Sequence, residues 1–196
     1  EDLIKEAVEN AKNADAAIVF AGTSGNFETE GHDRENLFLP NDQDSLIEKI
    51  AEVNANTIVV IQNGSPVLID RWLNKVNALV EAWFPGEEGG NAIADILVGN
   101  YNPSGKLPIT FPRKWEDCSA FKSYKQKDGT TIYEDGIFVG YRHFDKNNIE
   151  PLFPFGYGLS YTAFDYQNLN VERNSPDYYE ISFDLLNTGR LSGSEV

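Results

Sequence analysis

Acidic side chains gather in one glycine-containing stretch, residues 22–40, and they are the groups in this sequence best suited to chemistry. The stretch carries, in order, Glu28, Glu30, His32, Asp33, Arg34 and Glu35. Hydrolysis of a glycosidic bond uses a carboxyl group that protonates the leaving oxygen and a carboxylate that attacks or activates water. Neighbouring carboxylates disfavour ionisation of a glutamic acid, so we expect a raised pKa, which suits a general acid at near-neutral pH. This reasoning leaves the choice between Glu28 and Glu30 open.

Other chemistries fit the stretch less well. The only two histidines, His32 and His143, lie in different segments, so no metal-ligand spacing is present and we predict no metal. A Ser-His-Asp triad through His32 would lack a nucleophile elbow. The Gly-Thr-Ser-Gly run at 22–25 lacks both the Gly-Lys-Ser/Thr ending and the G-x-G-x-x-G spacing of phosphate loops. The plain alternative, an acid-rich loop that is solvated surface, stays open on composition alone.

The elements around this stretch predict an α/β domain with a mostly parallel sheet. Apolar or β-branched runs predict strands at 16–21, 57–62, 78–84 and 107–111, with helical patterns at 3–11, from Asn41, from Ser65-Pro66 and at 92–97. Strands that alternate with helices over short connections form βαβ units. The loops 22–40, 63–65 and 85–90 then share the carboxyl edge of the sheet, where such folds bind ligands. Phe27, Leu37 and Leu39 supply apolar anchors that favour an ordered loop.

The alternation ends after Pro112. Residues 119–135 are polar, and the lysines at 122, 125 and 127 are expected to be solvated surface. We predict a strand at 137–144 and an ordered, irregular connector at 151–161, which is rich in proline, glycine and aromatic residues. Segments 164–172 and 179–187 resemble strands of a β-sandwich. Two strands cannot complete a sandwich, so we expect a truncated domain.

Charge and composition narrow the possible partners. The chain has 196 residues and a formal net charge of −15, which disfavours nucleic acids and anionic membrane surfaces. No run approaches the roughly 18 apolar residues of a membrane span, and no signal peptide is recognisable. The single cysteine, Cys118, cannot form an internal disulfide, and the Asn63-Gly64-Ser65 sequon is a weak hint of secretion. Secretion and a cytoplasmic location both stay possible, as does a homo-oligomer. The absence of methionine and the abrupt ends suggest a piece of a longer polypeptide.

Six ordered motifs resemble family 3 glycoside hydrolases of the β-glucosidase type. The most specific is Glu-Thr-Glu-Gly-His-Asp-Arg at 28–34, within a longer match that extends to Pro40. The other five are NGSPV at 63–67, AWFPGEEGGNAIAD at 82–95, NPSGKLP at 102–108, GIFVGYR at 136–142 and FPFGYGLSY at 153–161. They occur in the family's order and cover nearly the whole chain.

The resemblance implies an αβα sandwich domain over residues 1–118, a linker over 119–162 and the start of a fibronectin type III-like domain over 163–196. It implies a preceding (β/α)8 barrel that supplies the aspartate nucleophile and most sugar-binding residues. The family's acid/base glutamate matches Glu30. Asp33 and Arg34, with Glu28, are then expected to support the loop through a salt bridge or backbone hydrogen bonds, although plain surface charge remains the alternative. Trp83 and Phe84 are expected in the core.

By the same resemblance, the activity is retaining hydrolysis of terminal β-D-glucosyl residues from a β-glucoside or oligosaccharide, as in the breakdown of cellulose and other polysaccharides, without a cofactor. A β-xylosidase is the alternative within the family, since the barrel would shape the pocket for the sugar's C6 group. A different reading is a non-catalytic carbohydrate-binding or scaffold module, which suits the isolated chain because its nucleophile would be absent.

Overall fold

The structure is a computed structural model, which describes residues 2–124 and 128–196. Lys125 and Lys127 of the predicted polar cluster lie outside the described residues. Two compact units are formed, one from residues 1–89 and 108–156 and the other from residues 90–107 and 157–196. The sequence-based domain limits at 118 and 162 remain a prediction.

The first unit is built on a parallel three-stranded sheet. Its strands are β1 (Ala17–Gly22), β2 (Thr57–Gln62) and β3 (Ala78–Glu81), in the order β1-β2-β3. Ala17 pairs with Thr57, and Ile58 pairs with Ala78. Since all three strands point the same way, their carboxyl ends meet at one edge. This confirms the predicted α/β class with a parallel sheet.

The described residues form five α-helices. They are α1 (Asp2–Lys12), α2 (Gln43–Val53), α3 (Asp70–Leu73), α4 (Gly89–Leu97) and α5 (Tyr141–Asn147), with short 3-10 turns at Trp115–Asp117 and Ser119–Lys122. Asn54, at the end of α2, is buried and donates from Nδ2 to the carbonyls of Ala11 (2.8 Å) and Ala14 (2.9 Å), which ties α2 to the end of α1. None of the described helices is long and apolar enough to cross a membrane.

The core of the first unit includes side chains of α2, β2 and α3. Ile47 of α2, Val59 and Ile61 of β2, and Trp72 of α3 are fully buried. The indole Nε1 of Trp72 donates to the buried carboxylate of Asp44 at 2.7 Å, so the polar edge of this large ring is satisfied. Because these buried side chains come from α2, β2 and α3, their packing holds the two helices against the sheet whose edge carries the loop.

Two predicted strands are wrong. Residues 107–111 form only an isolated bridge, Phe111 with Phe153, because Pro108 and Pro112 remove backbone donors that a strand would need. Residues 137–144 form a turn and the first half of α5. Gly136 and Gly140 have φ of 56° and 57°, in the left-handed region, so an extended run is interrupted on both sides.

Two helix predictions and one strand limit need correction. The helix predicted from Ser65-Pro66 forms only as α3, because the amide of Leu68 bonds instead to the carbonyl of Leu37 (2.7 Å). α2 starts at Gln43 after an Asp42 cap, since Asn41 has φ of 58°. β3 stops at Glu81 rather than at residue 84.

The second unit holds an antiparallel pair, β4 (Phe164–Ser175) and β5 (Tyr178–Asn187), in which Phe164 pairs with Asn187. Both predicted strands are therefore present, and both are longer than predicted. Within this unit the side chain of Asn102 accepts hydrogen bonds from the hydroxyl of Ser160 (2.9 Å) and the amide of Tyr161 (2.7 Å). The aromatic connector is irregular, as its composition predicts.

Candidate active-site loop

The long loop leaves β1 through a very tight contact. A Cβ on Gly22 would lie 2.0 Å from the carbonyl oxygen of Gln62, so only glycine fits there. The side chain of Gln43 accepts from the Gly22 amide (2.7 Å) and donates to the Gly22 carbonyl (2.9 Å) and to the Pro40 carbonyl (3.0 Å). Gln43 therefore fastens the beginning and the end of the loop to each other. Reasoning from the sequence missed it, because a glutamine at the start of a helix carries no recognisable signal.

The apolar anchors of the loop lie where they can hold it. Leu39 is buried, and Phe27 and Leu37 are half-buried. The loop is thus held against the body of the first unit at these three positions. A long loop fixed in this way can present a side chain in one position.

Glu28 forms the centre of the most highly connected cluster at this edge. Its carboxylate accepts hydrogen bonds from the hydroxyls of Thr23 and Ser65, from the Gly64 amide (2.6 Å) and from Nη1 of Arg34 (3.1 Å). The side chain keeps 12% of its surface exposed, and that of Arg34 keeps 10%. Donors from the loops after β1 and β2 thus converge on one carboxylate.

These donors determine the charge of Glu28. Burial raises its pKa, but the hydrogen bonds from Ser65, Thr23 and the Gly64 amide, together with the charge of Arg34, outweigh burial and hold the pKa below the ordinary value of 4.5. The expectation that crowding by carboxylates raises the pKa is therefore wrong for Glu28. A carboxylate whose ionised form is favoured in this way is poorly suited to donate a proton at neutral pH.

Arg34 supports the same cluster from the loop side. Besides the ion pair with Glu28, its Nη1 donates to the Ser65 hydroxyl (2.6 Å), and its guanidinium stands 5.4 Å from the ring centre of Phe27. Its Nε is buried without a partner among the described residues. Asp33, the other predicted supporting residue, is exposed and forms no ion pair within the described part of the chain.

Glu30 lies at the tip of a tight turn. Thr29 and His32 form an antiparallel bridge that closes this turn, and Glu30 is exposed between them. Within residues 2–124 and 128–196 its carboxylate has no hydrogen-bond partner. An open cavity of about 240 Å³ adjoins the turn and is lined by Glu28, Thr29, His32, Asp33, Arg34, Ser65 and Tyr124. The structure thus brings Glu28, Arg34 and Asp33 to one cavity and places Glu30 on the turn beside it.

A fifth acid, Glu81, lies at the end of β3 and was not predicted as a site residue. Its Oε1 accepts from the amide of Trp83 at 3.0 Å. Burial raises its pKa to about 7, and the charge of Glu28 acts in the same direction, whereas the Trp83 amide and the Asn63 side chain favour the ionised form. The feature of the sequence that could have identified Glu81 is an acidic residue at the end of an otherwise apolar strand.

Two smaller expectations can be compared with the structure. Phe84 is 65% exposed rather than in the core, and Trp83 is half-buried. Asn63 is fully buried in this fold, so its sequon gives no support for secretion. Among the described residues no group of three or more His, Cys, Asp or Glu side chains could hold a metal ion.

A parallel-stranded α/β unit with an acid-bearing loop at its carboxyl edge is the class that this geometry defines. The model of the glycosyl hydrolase family 3 C-terminal domain matches residues 1–161, and the chain belongs to this family. The resemblance stated from the six motifs is confirmed.

Named relatives are beta-glucosidases. The whole chain is 45% identical over 204 residues to probable beta-glucosidase I of Emericella nidulans, of which it covers 24%, and 43% identical over 199 residues to thermostable beta-glucosidase B of Acetivibrio thermocellus, of which it covers 26%. The crystal structure of a beta-glucosidase from Kluyveromyces marxianus in complex with glucose superposes with a TM-score of 0.91 at 44% identity, over 96% of this chain and 22% of that chain. The chain thus spans about a quarter of the length of these relatives.

Proposed function

We propose that this chain is the C-terminal part of a β-glucosidase and that Glu30 is its general acid/base. The observation that carries the assignment within the loop is the state of Glu28. Four donors hold that carboxylate ionised, whereas Glu30 is exposed at the tip of the neighbouring turn. Family membership and the beta-glucosidase relatives support the activity.

The proposed reaction is a retaining double displacement. An aspartate from a (β/α)8 barrel that precedes this chain attacks the anomeric carbon, and the bond to the aglycone oxygen breaks. Glu30 gives its proton to that oxygen in the same step. In the second step the Glu30 carboxylate takes a proton from water, the resulting hydroxide oxygen bonds to the anomeric carbon, and the aspartate leaves. Glu30 ends protonated, as it began.

Glu28, Arg34 and Ser65 hold the loop in this account. Their hydrogen bonds join the loop after β1 to the turn after β2, so the position of the 29–32 turn relative to the sheet edge is fixed. General acid catalysis depends on placing the proton within hydrogen-bond reach of the leaving oxygen. Asp33 is exposed beside the cavity, where it either supports the loop or only contacts solvent. A variant that lacks the Asp33 carboxylate distinguishes these two roles.

The substrate class proposed is a β-glucoside or oligosaccharide with a terminal β-D-glucosyl residue. A β-xylosidase remains the second candidate, because the pocket for the sugar would be built by the barrel. The ratio of kcat/KM on aryl glucoside to that on aryl xyloside distinguishes the two. The isolated chain is proposed to be inactive, since it would lack the nucleophile, and to act at most as a carbohydrate-binding or scaffold module.

The test compares this chain with the same polypeptide extended by its upstream barrel, and in the extended form compares Glu30→Gln with Glu28→Gln. We expect hydrolysis of a β-glucoside only from the extended form. Loss of a general acid costs about 10²–10⁴-fold in rate, so Glu30→Gln should fall in that range.

The two variants should also differ in their response to azide. With an activated aryl glucoside, azide should restore turnover to Glu30→Gln and release the glucosyl azide, because azide needs no general base to attack. Glu28→Gln should lose activity together with stability and should not respond to azide. Full activity of Glu30→Gln, or azide rescue of Glu28→Gln alone, would reject the assignment.

A further inference from the structure

The turn after β3 has an unusual backbone that Glu81 helps to hold. Trp83 has φ of 50°, a region that non-glycine residues with large side chains rarely adopt, at a cost of about 1–3 kcal/mol. The Trp83 amide is held by Oε1 of Glu81, two residues earlier. This contact fixes the direction in which the chain leaves β3 and therefore the position of the next residue, Phe84.

Phe84 in turn supports the backbone that binds Glu28. A Cβ added to Gly64 would lie 2.6 Å from the Phe84 ring and 3.2 Å from Oε2 of Glu28, so the ring and the carboxylate both lie close to the Cα of Gly64. The Gly64 amide is one of the donors to Glu28. The ring therefore packs against the residue whose amide binds the carboxylate.

Asn63 provides a second connection between Glu81 and Glu28. It is fully buried, its Nδ2 donates to the Ser65 carbonyl at 2.6 Å, and its side chain favours the ionised form of Glu81. Ser65 donates its hydroxyl to Glu28. The 63–65 turn thus contacts both acids. Asn63 contacts Glu81 through its side chain, whereas Gly64 and Ser65 contact Glu28 through an amide and a hydroxyl.

We infer that Glu81 is a positioning residue for the loop of residues 23–40: it acts through Trp83–Phe84 and through Asn63 on the Glu28 cluster, and its ionisation loosens that cluster. The catalytic consequence rests on the proposed function, since it assumes that this loop presents the acid/base carboxyl. The structural part, that the charge of Glu81 alters the hydrogen bonds to Glu28, does not rest on it.

Electrostatics give the direction of the effect. Glu28 is the charged group that acts on Glu81 among the described residues, and no cation offsets the second negative charge. Both acids contact residues of the 63–65 turn, and repulsion between ionised Glu81 and ionised Glu28 therefore acts on the hydrogen bonds that Gly64 and Ser65 donate. The pKa of about 7 places this change of charge in the neutral range.

The test follows the backbone amides of Gly64 and Trp83 by ¹H–¹⁵N NMR during a pH titration of the 196-residue chain. We expect both resonances to shift with a shared inflection near pH 7, and we expect Glu81→Gln, which keeps the shape but cannot ionise, to abolish it. Because His32 lines the cavity beside Glu28, His32→Gln is the matched control and should retain the inflection. Exposed Glu52→Gln is a second control.

Each outcome decides the inference. An inflection at Gly64 that survives Glu81→Gln, or disappears in His32→Gln, overturns it, and so does a wild-type Gly64 resonance that is flat between pH 5 and pH 9. Glu28→Gln should move the Trp83 inflection to lower pH, because it removes the neighbouring negative charge. In the barrel-extended polypeptide, Glu81→Gln should also remove a step near pH 7 from kcat/KM. Failure of Glu30 as the acid/base would change that rate profile but not the NMR result.

Discussion

Glu28 and Arg34 form an ion pair of 3.1 Å in which both side chains are almost fully withdrawn from solvent, at 12% and 10% exposure. The pair joins two positions six residues apart in the loop, and both partners also contact Ser65 on the neighbouring turn. A pair with this degree of burial differs from a surface salt bridge, because removal of one partner leaves the other charge without compensation.

Removal of one partner of this pair should destabilise the first unit strongly. We expect Arg34→Met to lower the free energy of unfolding by about 3 kcal/mol, since the Glu28 carboxylate would then be desolvated without its cation. Urea unfolding of the wild type, each single variant and the Glu28→Gln/Arg34→Met double variant gives the coupling energy. If the double variant loses as much free energy of unfolding as the two single variants lose together, the result would argue against a direct pair.

The two unusual acids should give opposite pH dependences of stability. Glu28 has a lowered pKa in the folded state, so its contribution is present above pH 4.5 and is lost as pH falls through the folded pKa. Glu81 has a raised pKa, so its contribution is present below pH 4.5 and is lost as pH rises through about 7.

The expected magnitude for Glu81 follows from its shift. From 4.5 to about 7 the shift corresponds to about 3 kcal/mol at most between the two limits. Urea midpoints measured from pH 4 to pH 8 should therefore show a loss of stability between about pH 4.5 and pH 7 that Glu81→Gln removes and that Glu52→Gln retains. An unchanged slope of stability between about pH 4.5 and pH 7 in Glu81→Gln would contradict the raised pKa.

Gln43 should control the order of the loop through both of its ends. Gln43→Ala removes three hydrogen bonds to Gly22 and Pro40, and at a net contribution of about 0.5–1 kcal/mol each we expect a loss of about 2 kcal/mol. Gln43→Glu keeps the acceptor for the Gly22 amide and removes the two donors. Hydrogen exchange should show the Gly22 amide protected in Gln43→Glu and less protected in Gln43→Ala; equal protection in the two variants would speak against this role.

At the buried hydrogen bond between Asp44 and Trp72, the effect of the carboxylate charge on stability can be measured apart from the effect of the hydrogen bond. Burial raises the pKa of Asp44, although the hydrogen bond from Trp72 favours its ionised form. Asp44→Asn keeps an oxygen acceptor for the indole and removes a costly buried charge, so we expect little change in stability. Asp44→Ala leaves the indole Nε1 unpaired and should cost about 1–3 kcal/mol. Thermal unfolding of both variants measures the difference, and equal losses would mean that the hydrogen bond contributes nothing.

The sequence predicted the elements whose pattern is local. Both ends of β2 were predicted correctly, because a run of β-branched side chains bounded by turn residues indicates a strand. The strand at 107–111 was wrong, since its apolar pattern outweighed Pro108 inside the segment and Pro112 directly after it in the prediction. The third helix was overestimated for a different reason: Leu68 forms its backbone bond to Leu37, a partner 31 residues away, and no local pattern announces it.

In the candidate site, too, the features set by local sequence were predictable and those set by distant contacts were not. The acid-rich loop and its position at the sheet edge were predictable from the order of strands and helices. The roles inside the loop were not, because they depend on donors from other elements. Ser65 and Gly64 make Glu28 an ionised anchor, and the sequence alone gives no sign that these residues meet it. Glu81 has its raised pKa from burial, which only the packed structure defines.

The most direct test of the central claim is the dependence of kcat/KM on the pKa of the leaving group, measured for Glu30→Gln and wild type in the barrel-extended polypeptide with a series of aryl β-glucosides. If Glu30 protonates the aglycone oxygen, the variant should lose little on the most acidic phenols and progressively more as the phenol becomes less acidic, giving a steeper negative slope than wild type. Parallel lines for the two proteins would show that the proton comes from elsewhere and would contradict the account.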